Sequence, residues 1–308
     1  MTANSQSSGS HLLLAAALTP VHAGAGRSPG VVDLPVVRDP LGYPFIRGTM
    51  IKGALKTALL SKNDCISGNS GKEKCKQVLC ALGPEKGEST KGASKYSILD
   101  LYPLIIPAPA GVLEGGIALG GIVYVTTPAL IARAASIAEF NVDGLRVEKP
   151  TLYHGRATGT ATLLVASRVV GVSLASSSSL PNGLAELLSK AVEEGLHPLY
   201  KVYNPASNLL VVPDDTGRVL IDSLLYRVTR VRLDRVTKTV EGGALWTEEY
   251  LPWATLLVGK IVDTGFRNEY CSQADVDIKE FLDNNGLNSI VVGGKESVGA
   301  GLLKLKLI

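Results

Sequence analysis

His22 stands eleven residues before Asp33 in the stretch "TPVHAGAGRSPGVVDLPVVRD". An imidazole can take or give a proton near neutral pH, and a carboxylate can accept a proton or hold a divalent metal. Glycines between them let the loop approach another backbone closely. Breaking a phosphodiester through its own 2′-hydroxyl needs those capacities: a group to take the hydroxyl proton and a group to steady charge on phosphorus. Asp33 and His22 are therefore the candidate catalytic pair, with Asp33 also the candidate metal ligand. The plainer reading of a loop aspartate is a turn or cap residue.

Two further segments suit a phosphate partner. In "PFIRGTMIKGALK", Gly48 and Thr49 open a helix with Thr49 as its cap, Arg47 precedes it, and Lys52 lies within the first turn. Free N–H groups at a helix start, with a lysine on them, attract phosphate. The glycine-rich "GGKESVGAG" offers Gly293, Gly294, Lys295, Gly299 and Gly301, whose backbone N–H groups could face a sugar–phosphate chain. Neither segment matches a P-loop or a dinucleotide fingerprint.

Charge is local rather than global. The 308 residues carry a formal net charge of +3. Yet residues 21–60 hold Arg27, Arg38, Arg47, Lys52 and Lys56 against Asp33 and Asp39, and residues 226–240 hold Arg227, Arg230, Arg232, Arg235 and Lys238 against Asp234. Two basic clusters in a nearly neutral chain fit a partner that is anionic along a track. No apolar run approaches a membrane span, and "MTANSQSSGS" lacks a secretory pattern, so an intracellular, cytoplasmic protein with a disordered leader over residues 1–10 is expected. Four cysteines in that setting suggest free thiols, or a disulfide in a hyperthermophile. The spacing of Cys65, Cys75 and Cys80 matches no common zinc pattern, and Cys271 stands apart.

The elements that must position these residues read as α+β in a single domain. "HLLLAAAL" is a buried strand, and Ile51, Leu55 and Leu59 recur on one face of the helix that follows. Residues 62–95 read as a mobile surface insertion. "GGIVYVTTP" is a strand whose end supplies Thr127 as cap and Pro128 as first residue of a helix. "LPNGLAELLSKAVEEGL" and "DVDIKEFLDNN" are helices, and "NSIVVGG" and "LLKLKLI" are strands. Residues 226–252 form a long hairpin, its reversal placed at Gly242-Gly243, with a basic arm and an arm "ALWTEEYL" bearing acids and aromatics. The order suits a ferredoxin-like sandwich, the architecture of RNA-recognition domains.

Taken together, "TPVHAGAG…GVVDLPVVRD…GYPFIRGTMIKGALK", "ALWTEEYLP" and "VVGGKESVGAG" resemble, in order, the backbone subunit of Cmr-type (type III-B) CRISPR effector complexes, in the RAMP superfamily. The resemblance implies a modified ferredoxin-like (RRM-like) fold with an inserted lid and a thumb hairpin. It implies copies stacked along a crRNA guide beside other Cmr-type subunits, and metal-dependent cleavage of a bound single-stranded target RNA, with Mg²⁺ or Mn²⁺ as the ion. It places the family's catalytic aspartate on Asp33, its loop histidine on His22, its helix-start lysine on Lys52, and its thumb glutamate and tyrosine on Glu248 and Tyr250. Arg47 departs from relatives, which often carry an apolar residue or proline there. Trp246 or Tyr250 could stack on a displaced base, or Trp246 could pack on its own hairpin. The rival reading is a guide-binding filament subunit whose carboxylates are structural.

Overall fold

The structure, a computed structural model, describes residues 9–308 except 29, 67–71, 144 and 146, and of 89 and 241–244 it describes the backbone alone. Most of the expected leader thus lies outside the described residues. In chain order the elements are β1 (His11–Ala17), α1 (Gly48–Lys62), α2 (Glu73–Leu82), β2 (Tyr96–Ile98), β3 (Tyr102–Glu114), β4 (Ile122–Thr126), α3 (Pro128–Ala138), β5 (Thr151–Tyr153), β6 (Gly159–Val165) and β7 (Arg168–Ala175). They continue with α4 (Asn182–Glu193), α5 (Pro198–Val202), β8 (Leu209–Val211), α6 (Asp214–Leu224), β9 (Tyr226–Leu233), β10 (Val240–Tyr250), β11 (Leu256–Asp263), α7 (Ile278–Asn284), β12 (Ser289–Val291) and β13 (Leu302–Leu307). Among the described residues no helix is long and apolar enough to cross a membrane.

β1 lies in the middle of an antiparallel sheet, between β11 and β13. Its unbroken apolar run reflects burial on both faces. Leu13, Ala15 and Ala17 meet the core beneath α1, α2 and α7, while Leu14 and Ala16 meet a second core beneath α3, α4 and α5. β12 extends the sheet beyond β13, and β2 and β3 both pair with β11 on its far side. The fold is mixed α+β.

β3 joins this sheet to a closed, barrel-like ring. It pairs with β11 at Ile105, with β4 from Ile106 to Pro109, and with β6 from Ala110. The ring runs β3, β4, β8, β5, β7, β6 and back to β3. Its interior is filled by Ile106, Ala108, Val123, Val125, Leu163, Val172 and Leu210, all in one apolar cluster. Pro107 and Pro109 fall where β11 has ended and β6 has not begun, so their missing N–H groups are not needed there.

α1 begins two residues earlier than its sequence suggests. Thr49 is an exposed residue within the helix, and Arg47 takes the cap position without a side-chain bond. The first amide is satisfied from outside, by Gly48 N–H donating to Asp100 Oδ1 at 2.7 Å. Gly48 itself is pressed against β2: a Cβ there would sit 2.0 Å from the Ile98 carbonyl oxygen. That neighbour is backbone and cannot swing aside. Gly48→Ala should lower stability by about 1–3 kcal/mol or more, read as a lower denaturant midpoint at unchanged slope. An unchanged midpoint would mean that β2 yields freely.

Residues 62–95, expected to be a mobile insertion, carry α2, and its Cys75, Val78, Leu79, Cys80, Ala81 and Leu82 are buried. The thiols are paired, Cys65 with Cys75 and Cys80 with Cys271. Asn268 adds a non-covalent clasp, its Nδ2 donating to the Leu79, Cys80 and Ala93 carbonyls. The Lys-, Gly- and Ser-rich composition disguised a helix whose apolar face and cysteines fasten it to the body.

The long hairpin is present as β9 and β10, but its reversal lies between Leu233 and Val240. Asp234 Oδ1 accepts from the Val236 and Thr237 amides and so shapes the turn. Gly242 and Gly243 instead lie within β10, where the register slips between Val240 and Leu245.

Candidate active site

The root of β10 is where the candidate residues meet. Side chains alternate along a strand, so Trp246, Glu248 and Tyr250 share one face and Thr247 and Glu249 the other. Each of three consecutive residues holds a different segment of the chain.

Thr247 holds the Asp33 loop. Its backbone N–H donates to Asp33 Oδ2 at 2.7 Å and its hydroxyl donates to the same oxygen at 2.9 Å. The Asp33 amide returns a bond to Thr247 Oγ1 at 3.0 Å, and Leu34 bridges in parallel to Glu248. Asp33 is exposed, and the Thr247 backbone N–H, followed by its hydroxyl, holds the carboxyl below its usual range. Among the described residues Oδ1 accepts no hydrogen bond.

Glu249 holds His22 through its backbone. His22 Nδ1 lies 2.7 Å from the Glu249 carbonyl, which can only accept. The neutral ring therefore carries its proton on Nδ1 and leaves Nε2 free. His22 is buried beside the Tyr250 ring, with centroids 5.4 Å apart. A Cβ on Gly24 would come within 2.7 Å of Nε2, and one on Gly293 within 2.3 Å of the His22 carbonyl. These two glycines keep the histidine's surroundings open and let the C-terminal loop close on it, where Gly294 N–H donates to the His22 carbonyl at 3.0 Å.

Glu248 is only 1% exposed and is ringed by donors. Lys295 Nζ lies 2.5 Å from it, Trp246 Nε1 at 2.7 Å and Arg230 Nε at 3.3 Å, and the Tyr250 hydroxyl donates to it as well. Burial pushes its carboxyl up, but the bonds from Lys295, Tyr250 and Trp246 outweigh burial and bring it down to about 2. Such a carboxylate is a poor base. Tyr250 is buried, its hydroxyl raised by burial and by the Glu248 charge, so the stacking of an RNA base on it has no access. Trp246 is half-buried, with Lys295 Nζ 5.8 Å from its ring centre.

The side chain of Glu249 organises the opposite face. It takes Arg38 Nη1 at 2.9 Å, Arg227 Nη2 at 3.0 Å and the Val36 amide at 3.2 Å. Asp222 of α6 binds the same two arginines at 2.7 and 2.8 Å. Arg38 is thus engaged by two carboxylates, and its charge serves this network before any phosphate.

The helix-start residues make none of these hydrogen bonds, although Thr49 lines one cavity with Gly293 of the C-terminal loop. Arg47 and Thr49 are exposed, and Gly48 is buried for the packing reason above. Lys52 Nζ donates to Ser94 Oγ at 2.6 Å, and burial, then Lys56, lowers its pKa. In the C-terminal loop Gly299 is exposed at φ +83°, whereas Gly301 is buried, a Cβ there lying 2.2 Å from the Val292 carbonyl. Gly301 is thereby a packing residue. Sequence reasoning missed Thr247, Glu249 and Asp222. The alternation of "WTEEY" across two faces was the signal available for the first two.

A divalent ion would find a sparse donor set here. Among the described residues the sole cluster of three potential ligands, Cys80, Cys271 and Asp275, lies elsewhere and contains a disulfide. Asp33 supplies one open carboxylate oxygen. That suits Mg²⁺, which keeps several waters and completes its shell on substrate phosphates.

Comparison with known proteins gives the chain's family. A family model for the RAMP superfamily matches residues 15–304. The chain is 30% identical over 297 residues to the CRISPR system Cmr endoribonuclease Cmr4 of Pyrococcus furiosus, spanning 94% of this chain and 92% of that protein. In fold it resembles a chain in the type III-B Cmr-beta complex bound to cognate target RNA, with TM-score 0.71, 24% identity and coverage of 97% and 96%. It also resembles oligomeric Cmr4 from Pyrococcus furiosus, with TM-score 0.60, 21% identity and coverage of 97% and 98%. The chain belongs to the RAMP superfamily and, within it, to the Cmr4 type.

Proposed function

We propose that this chain is a backbone subunit of a type III-B CRISPR effector, working in the cytoplasm, that binds crRNA and cleaves a paired target RNA at regular intervals. The likeness to a Cmr endoribonuclease over nearly the whole chain supports the activity. The single observation that carries the site is Asp33, held through one oxygen to the root of the hairpin with the other oxygen open. The strand order β13, β1, β11, then β2 and β3, with α1 following β1 and α7 following β11, supports a ferredoxin-like reading of the first sheet. β9 and β10 are the thumb in this reading. Copies of the chain stack along the guide with other Cmr-type subunits, as the oligomeric relative suggests.

Guide–target pairing reads sequence, so the protein need only hold backbone shape and phosphate. The thumb separates one base pair per subunit and splays a target nucleotide. Its 2′-hydroxyl can then line up with its own phosphorus, a geometry a stacked A-form strand resists. Asp33 Oδ1 faces that hydroxyl, and His22 Nε2 is the neighbouring proton acceptor or donor. A divalent ion held by Asp33 and target phosphates would supply charge neutralisation at phosphorus. Lys52, and Lys295 beyond its pairing with Glu248, contribute positive charge along the guide, whereas the Gly294 and Gly299 N–H groups of the C-terminal loop are spent on the His22 and Glu296 carbonyls. Glu248 and Tyr250 position Lys295, Arg230 and His22 rather than move protons. The paired state of Glu248 and Glu249 favours the rival reading of structural carboxylates, but the open oxygen of Asp33 does not.

Replacing residues 234–245 with a short turn tests the thumb. An exposed hairpin end contributes little to the core, so the protein should fold and retain part of its guide binding. Complexes assembled with it should lose the regularly spaced cuts, which denaturing gels of end-labelled target would register. Cuts at the original positions would remove the thumb from the mechanism.

A further inference from the structure

We infer that Thr247 is a positioning residue that aims the Asp33 carboxylate, presenting Oδ1 by pinning Oδ2. Both donors of Thr247, the backbone N–H and the hydroxyl, converge on one carboxylate oxygen. The hydroxyl oxygen in turn accepts the Asp33 amide, so backbone and side chain of Asp33 are fixed by the same atom. Two bonds to one oxygen restrict rotation about the carboxyl's bond to Cβ and leave the second oxygen in one direction. This matters because the loop's backbone bonds, such as Ser28 N–H to the Asp33 carbonyl at 3.0 Å, do not restrain the carboxylate itself, and Val31, two residues away, is 98% exposed. A carboxylate on such a loop would rotate freely without a clamp.

The clamp sits on β10, the arm that also fixes His22 through the next-but-one carbonyl. Any movement of the hairpin root thus carries both groups together. The loop's backbone pairing does not need the hydroxyl: Leu34 N–H donates to the Thr247 carbonyl, and Glu249 N–H to the Leu34 carbonyl, each at 3.0 Å. Aim and attachment are separable, and that makes the role testable. The inference rests on Asp33 being the catalytic carboxylate.

The test uses ribonucleoprotein complexes reconstituted with a guide and carrying Thr247→Val, Thr247→Ser, Asp33→Ala or the double change Asp33→Ala/Thr247→Val. Valine keeps the shape and removes the hydroxyl. Single-turnover cleavage by Thr247→Val should fall about 10-fold, in the range found when partners that orient a catalytic ligand are removed, with target affinity unchanged. Thr247→Ser keeps the hydroxyl and should recover most of the rate. The double variant should be no slower than Asp33→Ala alone, because the clamp acts only through the carboxylate. Hydrogen exchange on the isolated protein gives a second readout: the Asp33 amide should exchange faster in Thr247→Val, return to normal in Thr247→Ser, and leave the Leu34 amide protected in both. If valine does not assemble, Thr247→Ala replaces it. Wild-type cleavage by Thr247→Val alongside an inactive Asp33→Ala would overturn the inference and leave the site intact. Equal losses in the valine and serine variants, or loss of target affinity, would make Thr247 merely structural. Wild-type cleavage by Asp33→Ala would instead sink the site itself.

Discussion

Complexes carrying Asp33→Ala should bind guide and target as the wild type does and cut the target on the order of 10²-fold more slowly, or not at all. If Asp33 takes the 2′-hydroxyl proton or holds a metal, it makes an interaction realised mainly in the transition state, and losses of that kind fall on rate rather than affinity. Affinity is expected to hold for a second reason: removing a carboxylate beside phosphates removes repulsion. Asp33→Asn is the sharper variant. Its side-chain carbonyl can still accept from Thr247 N–H and hydroxyl, so the loop stays clamped, but an amide is neither a base nor a good ligand for Mg²⁺. It should be nearly as inactive as alanine. Single-turnover cleavage beside an equilibrium binding assay separates these effects. Asparagine complexes that bind and cut at the wild-type rate would move the chemistry to His22.

Glu248→Gln should reduce the stability of the isolated protein by roughly 3 kcal/mol at neutral pH, the equivalent of moving a glutamate from its ordinary 4.5 to about 2. The folded carboxylate is held ionised by Lys295, Tyr250, Trp246 and Arg230, whereas in the unfolded chain it titrates normally. Its contribution is therefore complete above pH 4.5 and fades as pH falls toward 2. The gap between wild type and Glu248→Gln, measured by denaturant unfolding, should be widest at pH 7 and much narrower near pH 3. A gap that stays constant across this range would mean that packing, not charge, is what Glu248 provides.

Much of the first sheet was legible because its signals are local. The β1 run, the 51-55-59 stripe, the Thr127-Pro128 start of α3 and the final alternating strand each follow from short-range periodicity or capping, and the structure contains them. The barrel-like ring was less visible. Only β4 was identified among its six strands, since the prolines of β3 argue against a strand unless one knows that Pro107 and Pro109 fall in a gap between partners. Composition misled at residues 62–95, where lysines and glycines outnumber the few apolar positions that anchor α2. At the site, Asp33 and His22 stood out as residue types, but their partners did not. Thr247 and Glu249 are 214 and 227 residues from what they hold, and nothing local to either end announces such a pairing. Arg38 illustrates the converse: a basic cluster in sequence became a salt-bridge network around the buried Glu249, with Asp222 beside it.

The bond between Cys80 and Cys271 joins positions 191 residues apart and so turns most of the molecule into a covalent circle. The ring's strands and the whole hairpin lie inside that circle. A single break in the exposed turn after Leu233 would leave no free fragment, because both new ends remain tethered through α2. The circle also cannot close until residue 271 has emerged from the ribosome, by which time the ring and hairpin are already made. The staple thus closes only after the ring and hairpin have been synthesised, and it keeps the two pieces of a chain cut in that turn together.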